Sequence, residues 1–442
     1  MHLCAMSRGV STSFARLWAG GTACPTPEGP GSSQHTYPRD PVQAKVLRLS
    51  DIQYPADSEE LRSVLHTAAT SHRAIELFGG GSKRLMAGSI STAGVRVSTS
   101  AMKRILKYEP RDLTVSVEAG IPYADLSREL ARNGQMIPLA GPYSGEATIG
   151  GIVAANISES RRRAYGTARD LVIGMEFVTL EGKLVRSGGM VVKNVAGLDM
   201  GKLMIGSFGT LAAIATLNFK LLPIPTVSRT LLFQFEDLKS TVAAYQAVMK
   251  AGLNPLAADI LNPILAAQFS ALFSMKGFAL AFQFGGNDAV IERSTREATA
   301  LCGDSGSARA LQADEEQRFW TGVAAITPRH LEKFRDGAVA RVLTPLSECA
   351  DALASVDGPG HAMAATGILR AWFSRPEAAS RWLAASVKRG WKGVIEFAGP
   401  GVDRSALVLW PSPGGDFEIM KGVRKMFDPE GLLNSGRLFN LI

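Results

Sequence analysis

The hydrophobic positions follow two different periods along the chain from about residue 46 onward. After Asp57 or Ser58, both typical N-cap residues, apolar residues recur at helical spacing, and the same pattern precedes Gly134, a candidate C-terminal cap. Short apolar runs bounded by turn residues predict strands at AIELF, GVRVST and LTVSVEAG, and on both sides of the Glu181-Gly182 turn. These patterns predict a mixed α+β region with glycine-rich connections.

A second pattern begins near residue 226, where apolar strands are each followed by an amphipathic helix. TLLFQFEDLKSTVAAYQAVMKAG has this order, and FALAFQFGG with the following AVIERSTREATALCG repeats it. Such units predict a second α+β domain, in which helices cover an antiparallel sheet. We expect a first domain over residues 42–225, a second over 226–418, and a terminal segment 419–442 that folds back on the first domain.

Residues 1–41 differ from the rest because they are rich in Ser, Thr, Gly and Pro. Arg8 and Arg16 precede the first acidic residue, Glu28, which is typical of an organellar transit peptide. A disordered tail or a mis-assigned translation start would have the same composition, so these interpretations stay open. No stretch of about 18 apolar residues occurs, so the sequence predicts no membrane-spanning helix.

Composition limits the chemistry further. The four cysteines, Cys4, Cys24, Cys302 and Cys349, are far apart, which excludes a thiolate zinc site, an iron–sulfur cluster and a Cys-x-x-Cys redox motif. So few cysteines favour a reducing compartment. The net charge is +8, but the basic residues form no long run. Their densest cluster is at residues 161–163, with Arg169 nearby, and it is either a solvated loop or a contact to a phosphate cofactor or an acidic partner. Since few aromatic residues accompany it, nucleic acid is not an expected partner.

Glycine is concentrated in one region, because 20 of the 45 glycines fall within residues 79–209. Glycine allows backbone amides to approach a ligand closely. The region therefore either wraps its backbone around a ligand or is a β domain rich in turns. Residues 79–83, Gly-Gly-Gly-Ser-Lys, directly follow a predicted strand and could form a nest of amides for anionic oxygens, or a simple turn. Their spacing fits neither a Rossmann fingerprint nor a P-loop.

Three further motifs follow the glycine run in order: ATIGG with the small residues after it, YGTARD, and GSFGTL. Together the four motifs resemble the FAD-binding domain of the vanillyl-alcohol oxidase family, the p-cresol methylhydroxylase (PCMH) fold. NGQMIPL, VVKNVAGLDMGKLMIGSFGTL and FDPEGLLNSGRL resemble the E subunits of glycolate oxidase. The resemblance implies a PCMH-type FAD-binding domain of two α/β subdomains, joined to a second α+β domain.

The resemblance also implies roles for individual residues. The amides of residues 79–83 would hold the FAD pyrophosphate, Thr148 to Gly151 would line the diphosphate and ribityl region, and Asn434 and Arg437 would return near the isoalloxazine. Relatives that tether FAD use histidine or cysteine where Ser82 and Lys83 stand here, so non-covalent FAD is expected. The implied cofactor-binding residues are Gly79, Gly80, Gly81, Ser82, Lys83, Pro142, Thr148, Gly150, Gly151, Tyr165, Asp170, Gly209, Thr210, Ile214, Asn434 and Arg437.

No catalytic residue and no metal site can be assigned from the sequence. The paired histidines that bind metal or substrate in flavin dehydrogenases of 2-hydroxy acids are missing here. Oxidation of a hydroxy acid needs a base, for which Lys193, His330 and His361 are the candidates. The usual Ala-Gly-Tyr-Asp of the family is Ala-Gly-Leu-Asp at residues 196–199, and its Asn-Pro-Gly-Arg is Asn-Ser-Gly-Arg at 434–437.

The resemblance implies an FAD-binding subunit of a glycolate oxidase complex at the cytoplasmic face of the membrane. Its expected partners are a flavin-containing D-type subunit and an iron–sulfur F-type subunit, with a small 2-hydroxy acid as the substrate of the complex. An alternative is a self-sufficient FAD-dependent dehydrogenase of D-lactate or glycolate. A third hypothesis is a subunit that keeps the fold without flavin.

Overall fold

Four sheets organise the part of the chain that the computed structural model describes, namely residues 52–90, 94–157, 159–190, 199–271, 277–303 and 308–442. All of these residues belong to one unit, residues 47–442. The strands are β1 (Ile52–Gln53), β2 (Ile75–Phe78), β3 (Val95–Ser98), β4 (Ile105–Glu109), β5 (Thr114–Glu118), β6 (Gln135–Met136), β7 (Val172–Val178), β8 (Leu184–Gly188), β9 (Ala213–Lys220), β10 (Leu222–Pro223), β11 (Val227–Phe235), β12 (Ala257–Leu261), β13 (Phe278–Gly286), β14 (Arg309–Ala310), β15 (Ala338–Leu343), β16 (Gly360–Met363), β17 (Ile368–Phe373) and β18 (Lys392–Ala398).

Helices of very different length connect and cover these strands. They are α1 (Ser58–Thr70), α2 (Tyr123–Ala131), α3 (Ile149–Ala155), α4 (Arg162–Tyr165), α5 (Ala168–Leu171), α6 (Gly201–Met204), α7 (Leu238–Lys250), α8 (Pro263–Ala266), α9 (Asp288–Cys302), α10 (Ala313–Ala324), α11 (Ile326–Lys333), α12 (Cys349–Ala354), α13 (Pro376–Lys388) and α14 (Phe417–Phe427). Short 3-10 turns occur at Thr99–Ala101, Pro110–Asp112, Ser144–Glu146, Ala267–Phe269, Leu346–Glu348 and Arg404–Ala406.

The first half of the chain contains two larger sheets with separate cores, besides the two-stranded sheet of β6 and β10. The parallel sheet has the order β1-β3-β2 and packs with α1, while the antiparallel sheet has the order β4-β5-β9-β7-β8 and packs with α2 and α3. Local signals act as the sequence predicts: Asp57 caps α1 by accepting hydrogen bonds from the amides of Glu59 and Glu60 at 2.9 Å. Gly182 turns the β7–β8 hairpin at φ +75°.

The α2 helix ends earlier than its sequence pattern suggests. Its last residue is Ala131, with Arg132 at the cap, whereas Gly134 stands three residues further on at φ +64°. A backbone hydrogen bond from the amide of Gly134 to Ala131 closes this turn at 2.9 Å. Gly134 therefore reverses the chain into β6 rather than ending the helix directly.

The second half of the chain forms one eight-stranded antiparallel sheet with the order β14-β11-β13-β12-β16-β17-β15-β18. Successive side chains of a strand point to opposite faces of the sheet. On one face, a Cβ added to Gly393 of β18 would stand 2.6 Å from Leu383 of α13, so the helix packs closely on this strand. The other face carries polar residues on both sides of β12. Register pairing places Thr230 opposite Gln283, and it places Arg370 between His361 and Arg341.

The last residues of the chain return to the first half. Leu433 forms a parallel bridge with Ile75, whose amide donates to the carbonyl of Leu432 at 2.8 Å and whose carbonyl accepts from the amide of Asn434 at 2.9 Å. Leu433 is fully buried in the core below the parallel sheet. The terminal segment thus lies directly beside β2 and the glycine run that follows it.

Candidate functional site

A groove of about 400 Å³ lies beside the glycine run. Its walls come from the end of β2 with residues 79–84, the start of α3, the segment 208–214 and two arginines, Arg404 and Arg437. These segments are distant in sequence. The terminal segment is hydrogen-bonded to β2 and so holds that wall of the groove in place. The groove is lined by most of the cofactor-binding residues that the sequence analysis identified.

The glycines of the run are required by how closely their backbone packs. A Cβ on Gly79 would stand 2.0 Å from Oγ1 of Thr148, and one on Gly80 would stand 2.5 Å from the carbonyl oxygen of Glu146. Gly81 has φ +73°, a conformation that favours glycine. The loop therefore lies directly against the segment that enters α3.

The start of α3 is built in the same way. Thr148 caps the helix by accepting a hydrogen bond from the amide of Gly151 at 3.3 Å. A Cβ on Gly150 would stand 2.7 Å from the Cβ of Ala119, so the helix needs glycine to approach β5. Small residues continue along α3, and Ala154 and Ala155 also line the groove.

Arg437 and Arg404 hold the chain that leaves the glycine run. Arg437 donates to the carbonyl oxygens of Met86 at 2.5 Å and Gly88 at 2.9 Å, and also to that of Lys83. Arg404 donates to the carbonyls of Met86 and Ala87 at 3.2 Å. Burial and, to a lesser extent, the nearby charge of Arg404 lower the pKa of Arg437 to about 10, against the opposing effect of Glu76. Two cations this close, in a buried place, favour an anionic ligand.

Lys83 projects from the glycine run toward the segment 141–146. Its Nζ donates to the carbonyl oxygen of Pro142 at 2.6 Å and lies 5.9 Å from the centre of the Tyr143 ring. Burial lowers the pKa of this amine to about 8, against the opposing effect of Glu146. The lysine can therefore gain or lose its proton near physiological pH.

The structure brings eleven of the sequence-derived site residues together and leaves five outside the groove. Residues 79–83, Thr148, Gly150, Gly151, Gly209, Ile214 and Arg437 line the groove. Outside its lining are Pro142, Tyr165, Asp170, Thr210 and Asn434. The predicted base Lys193 lies outside the described residues, as do residues 196–198 of the altered Ala-Gly-Leu-Asp motif.

Each of the five has a visible local role. Pro142 holds Lys83, and Asn434 binds the backbone of Leu77 and Phe208. Asp170 completes the capping box of α5 by accepting from the amide and hydroxyl of the N-cap residue Thr167, at 2.8 and 3.0 Å. The Thr210 hydroxyl donates to the carbonyl of Ser207 at 2.8 Å, and Tyr165 is half-buried at the end of α4. These residues shape the loops around the groove.

A second cavity of about 260 Å³ lies between residues 140–144 and 159–161 on one side and the polar face of the large sheet on the other. Pro142 belongs to its wall, so the segment that holds Lys83 of the groove also borders this cavity. The other lining residues include Trp320 of α10 and Trp372 of β17, which give it aromatic walls. Its polar lining contains Glu159, Ser160, Arg161, His361 and Arg370.

The charged residues around the second cavity are deeply buried and mostly paired. Asp259 Oδ2 accepts hydrogen bonds from the Ser160 hydroxyl and, at 2.7 Å, from Nε2 of His361, whose tautomer we assign from this contact. The Oδ1 atom of Asp259 has no hydrogen-bond partner among the described residues. Burial raises the pKa of Glu159 to about 8, which Arg161 opposes and Asp259 reinforces. Arg370 is paired with the buried Glu396 at 2.6 Å.

The sequence analysis missed most of this second cavity. It considered His361 only as one of three candidate bases, and His330 proves to be elsewhere, with its Nε2 at 2.9 Å from the carbonyl of Phe373. The available signal was a single charge inside an otherwise apolar strand: Asp259 in AADIL, Arg370 in ILRAWF and Glu396 in VIEFA. Charged residues are rarely fully buried without a partner, so such positions indicate a buried polar network.

Within the described parts of the chain, no group of three or more His, Cys, Asp or Glu side chains could hold a metal ion. Cys302 and Cys349 are both buried, and burial raises their pKa values to about 12 and about 11. No helix in the described ranges is both long and apolar enough to cross a membrane.

Comparisons with known proteins identify the two halves of the chain. The FAD binding domain matches residues 52–188, and the C-terminal domain of FAD linked oxidases matches residues 224–366. In fold, the structure of p-cresol methylhydroxylase with substrate bound superimposes with a TM-score of 0.69 at 16% identity, covering 88% of each chain. This similarity confirms the expected PCMH-type α+β fold.

Similarity to curated proteins extends over most of the chain. Glycolate oxidase subunit GlcD of Bacillus subtilis (strain 168) is 26% identical over 420 residues, covering 87% of this chain and 88% of that protein. D-2-hydroxyglutarate dehydrogenase of Xanthomonas citri pv. viticola is 25% identical over 441 residues, covering 93% of each. Glycolate oxidase subunit GlcE of Escherichia coli (strain K12) is 32% identical over only 192 residues, 43% of this chain and 54% of that protein. The resemblance to E subunits is thus partial.

The groove fits the cofactor that these domains share. Its wall of glycine backbone, with Arg404 and Arg437 nearby, suits the two negative charges of a dinucleotide pyrophosphate. Small residues of α3 leave room beside it. The chain therefore joins a PCMH-type FAD binding domain to the C-terminal domain of FAD linked oxidases, and it is an FAD-dependent oxidoreductase.

Proposed function

We propose that this protein is the FAD-binding subunit of a complex that oxidises a small 2-hydroxy acid, as in glycolate oxidase. The observation that carries the proposal is the groove formed by residues 79–83, the start of α3 and Arg437. Its partners are then a flavin-containing D-type subunit and an iron–sulfur F-type subunit, and it works at the cytoplasmic face of the membrane through them.

The residues of the groove would divide the work of holding FAD. The amides of residues 79–83 and the charge of Arg437 would bind the pyrophosphate, and Thr148 to Gly151 would line its other side. Ile214 and Gly209 would enclose the more distant part. When bound, FAD supplies an acceptor for two electrons and a proton, taken as a hydride. We expect no covalent link, because neither Ser82 nor Lys83 is a residue to which relatives attach the flavin.

The arrangement of cysteines in the sequence supports the proposed dependence on partner subunits. Electrons must leave a reduced flavin one or two at a time, and an iron–sulfur cluster is a common carrier for single electrons. The four cysteines are too far apart in sequence to bind one. The glycolate oxidase subunits among the relatives agree with such an assembly.

Purification of the recombinant chain, alone and with its partner subunits, tests the proposal. We expect bound flavin with an absorbance maximum near 450 nm, the usual flavin position, released by denaturation. Glycolate-dependent reduction of an artificial acceptor should be negligible for the chain alone and restored by the partners. A well-folded chain that never takes up flavin would contradict the proposal and favour the flavin-free hypothesis.

A second candidate function is a self-sufficient FAD-dependent dehydrogenase of glycolate or D-lactate. The second cavity favours it, because it borders the segment that holds Lys83 and contains a histidine paired with an aspartate. Anaerobic mixing of the purified chain with glycolate or D-lactate separates the two functions. Rapid bleaching of the flavin without any partner subunit would establish the second candidate in place of the first.

A further inference from the structure

The carboxyl group of Glu159 has an unpaired oxygen on one wall of the second cavity. Glu159 lies between α3 and α4, and it lines the cavity together with Ser160 and Arg161. Its Oε1 atom is shielded from solvent and has no hydrogen-bond partner among the described residues. Buried polar atoms nearly always have a partner, and a hydrogen bond left unmade costs about 1–3 kcal/mol. A molecule bound in the cavity therefore gains affinity if it forms a hydrogen bond with this carboxyl.

The charged residues around Glu159 come from its own segment and from two strands of the large sheet. Burial is the strongest influence and raises the pKa of Glu159 to about 8. Arg161 and Arg370 of β17 oppose this effect, and Asp259 of β12 reinforces it. At neutral pH the carboxyl is therefore protonated, and it is an O–H donor rather than a negative charge.

Two tyrosines and a histidine are further titratable groups near Glu159. Burial raises the pKa of Tyr123 in α2 to about 12 and also raises the pKa of Tyr165 in α4, and the charge of Glu159 contributes to both shifts. His361 of β16 lines the same cavity, with its Nε2 at 2.7 Å from Oδ2 of Asp259. Neither tyrosine ionises in the pH range in which Glu159 loses its proton.

We propose that the carboxyl of Glu159 donates a hydrogen bond to a carboxylate bound in the second cavity, and that loss of its proton excludes anions from this cavity. The proposal rests on the proposed function in one respect, since it takes a 2-hydroxy carboxylate as the ligand. A hydrogen bond from a neutral acid to a carboxylate is charge-assisted and short. The ionised acid has no proton to donate, and it repels an anion strongly where water is excluded.

The other walls of the cavity favour a small anion over other ligands. A cation is disfavoured, because Arg161 and Arg370 both belong to the lining. An apolar molecule would pack against Trp320 and Trp372, but it would leave the carboxyl of Glu159 without a partner. At about 260 Å³ the cavity has room for only a small molecule.

The linkage between the anion and the proton gives the inference its measurable signature. Since a bound carboxylate favours the protonated acid, the affinity is constant below the pKa of Glu159 and falls as the pH rises above it. With a pKa of about 8 in the free protein, the affinity should fall about 30-fold between pH 6.5 and pH 9.5.

Calorimetric titration of oxalate into the flavin-loaded protein, with excess FAD, tests the inference. Oxalate is a non-reactive dicarboxylate that does not titrate in this pH range. Glu159→Gln keeps a hydrogen-bond donor but cannot ionise, so its affinity should match that of the unmodified protein within about threefold at pH 6.5 and stay constant to pH 9.5. Glu159→Leu has no donor and should bind oxalate about 10-fold more weakly at pH 6.5.

Two comparisons separate Glu159 from other groups. Glu292→Gln, at an exposed position of α9, should reproduce the pH profile of the unmodified protein. Lys83 also titrates near pH 8, but it is present in every one of these proteins, so the difference between Glu159→Gln and the unmodified protein does not include its effect.

Three results would overturn the inference: an equal fall in affinity in Glu159→Gln, an affinity of the unmodified protein that does not change with pH, or no binding of oxalate at pH 6.5. The Gln variant decides the question even where the Leu variant fails to fold. Failure of glycolate and D-lactate to reduce the flavin of the assembled complex would instead count against the proposed function. The oxalate titrations would then still decide the role of Glu159.

Discussion

The side chain of Asn434 forms two hydrogen bonds with the backbone of Leu77, which lies 357 residues earlier in the chain. Its Oδ1 accepts from the Leu77 amide at 2.7 Å, and its Nδ2 donates to the Leu77 carbonyl at 3.0 Å and to the Phe208 carbonyl at 3.0 Å. Leu77 lies two residues before the glycine run, and Phe208 belongs to another wall of the groove. One amide group thus fixes the distance between two walls of the groove.

Replacing Asn434 should therefore loosen the groove as well as the fold. Asn434→Ala leaves buried backbone groups of Leu77 and Phe208 without partners, and we expect a loss of about 2–4 kcal/mol in the free energy of unfolding. Flavin affinity should fall at least about 10-fold. Chemical denaturation and flavin titration of the apoprotein measure the two effects.

The control for Asn434 is Asn254→Ala. Asn254 also has a positive φ, +48°, and bonds a backbone carbonyl, but it is exposed and far from the groove in sequence. Its replacement should cost about 1 kcal/mol or less and leave flavin affinity unchanged. Equal effects of the two substitutions on flavin affinity would show that Asn434 acts only on stability.

Close packing of the glycine run gives a second prediction. Gly80→Val requires the loop to move, because its Cβ would stand 2.5 Å from the carbonyl of Glu146. Gly150→Val requires α3 to move away from Ala119. Both variants should lose retained flavin on gel filtration, while circular dichroism reports that the sheets remain.

Gly145 provides the matched control for these substitutions. It lies in the same segment as Glu146, yet a Cβ added there meets no atom within 4 Å. Gly145→Val should keep its flavin at the unmodified stoichiometry. Flavin loss in this variant too would indicate that the segment 141–150 tolerates no change at all, and that the Cβ contacts are not the cause.

Much of the fold follows from local patterns, while the site depends on contacts that no local pattern contains. The N-cap at Asp57, the Glu181-Gly182 turn and the strand–helix order after residue 226 all act as their sequences indicate. The glycine run is recognisable because it must pack closely. Asp259 and His361 are 102 residues apart and meet only through the pairing of β12 with β16. The sequence patterns identified neither of these two short strands, and no pattern shows which strands pair, so this contact could not be predicted.

The ammonium of Lys83 should make flavin affinity depend on pH. Burial lowers the pKa of this amine to about 8, so the group is charged below that value and neutral above it. A bound pyrophosphate favours the charged form, and affinity should therefore fall by about 10-fold as the pH rises from 7 to 9.5. Flavin titrations across this range measure the effect.

Lys83→Met should remove the pH dependence and bind as weakly at pH 7 as the unmodified protein does at pH 9.5. Lys239→Met, at an exposed position of α7, should leave the whole profile unchanged. An unchanged profile in Lys83→Met would assign the pH dependence to another group.

Glu159 should make the stability of the protein fall as the pH rises. Burial raises the pKa of this carboxyl from 4.5 to about 8, and its Oε1 has no hydrogen-bond partner among the described residues. Between these two values the folded state holds a proton that the unfolded state has released. The stabilisation is complete below pH 4.5, declines through the interval and is lost above pH 8, by about 2–4 kcal/mol.

Glu159→Gln, which cannot ionise, should lack this decline, so its stability relative to the unmodified protein should increase steadily from pH 5 to pH 8 in urea denaturation. Glu292→Gln, at an exposed position of α9, should follow the unmodified protein at every pH. If the free energies of unfolding of Glu159→Gln and of the unmodified protein changed in parallel with pH, the carboxyl would already be ionised in the folded state at pH 5. The second cavity would then carry a negative charge at that pH.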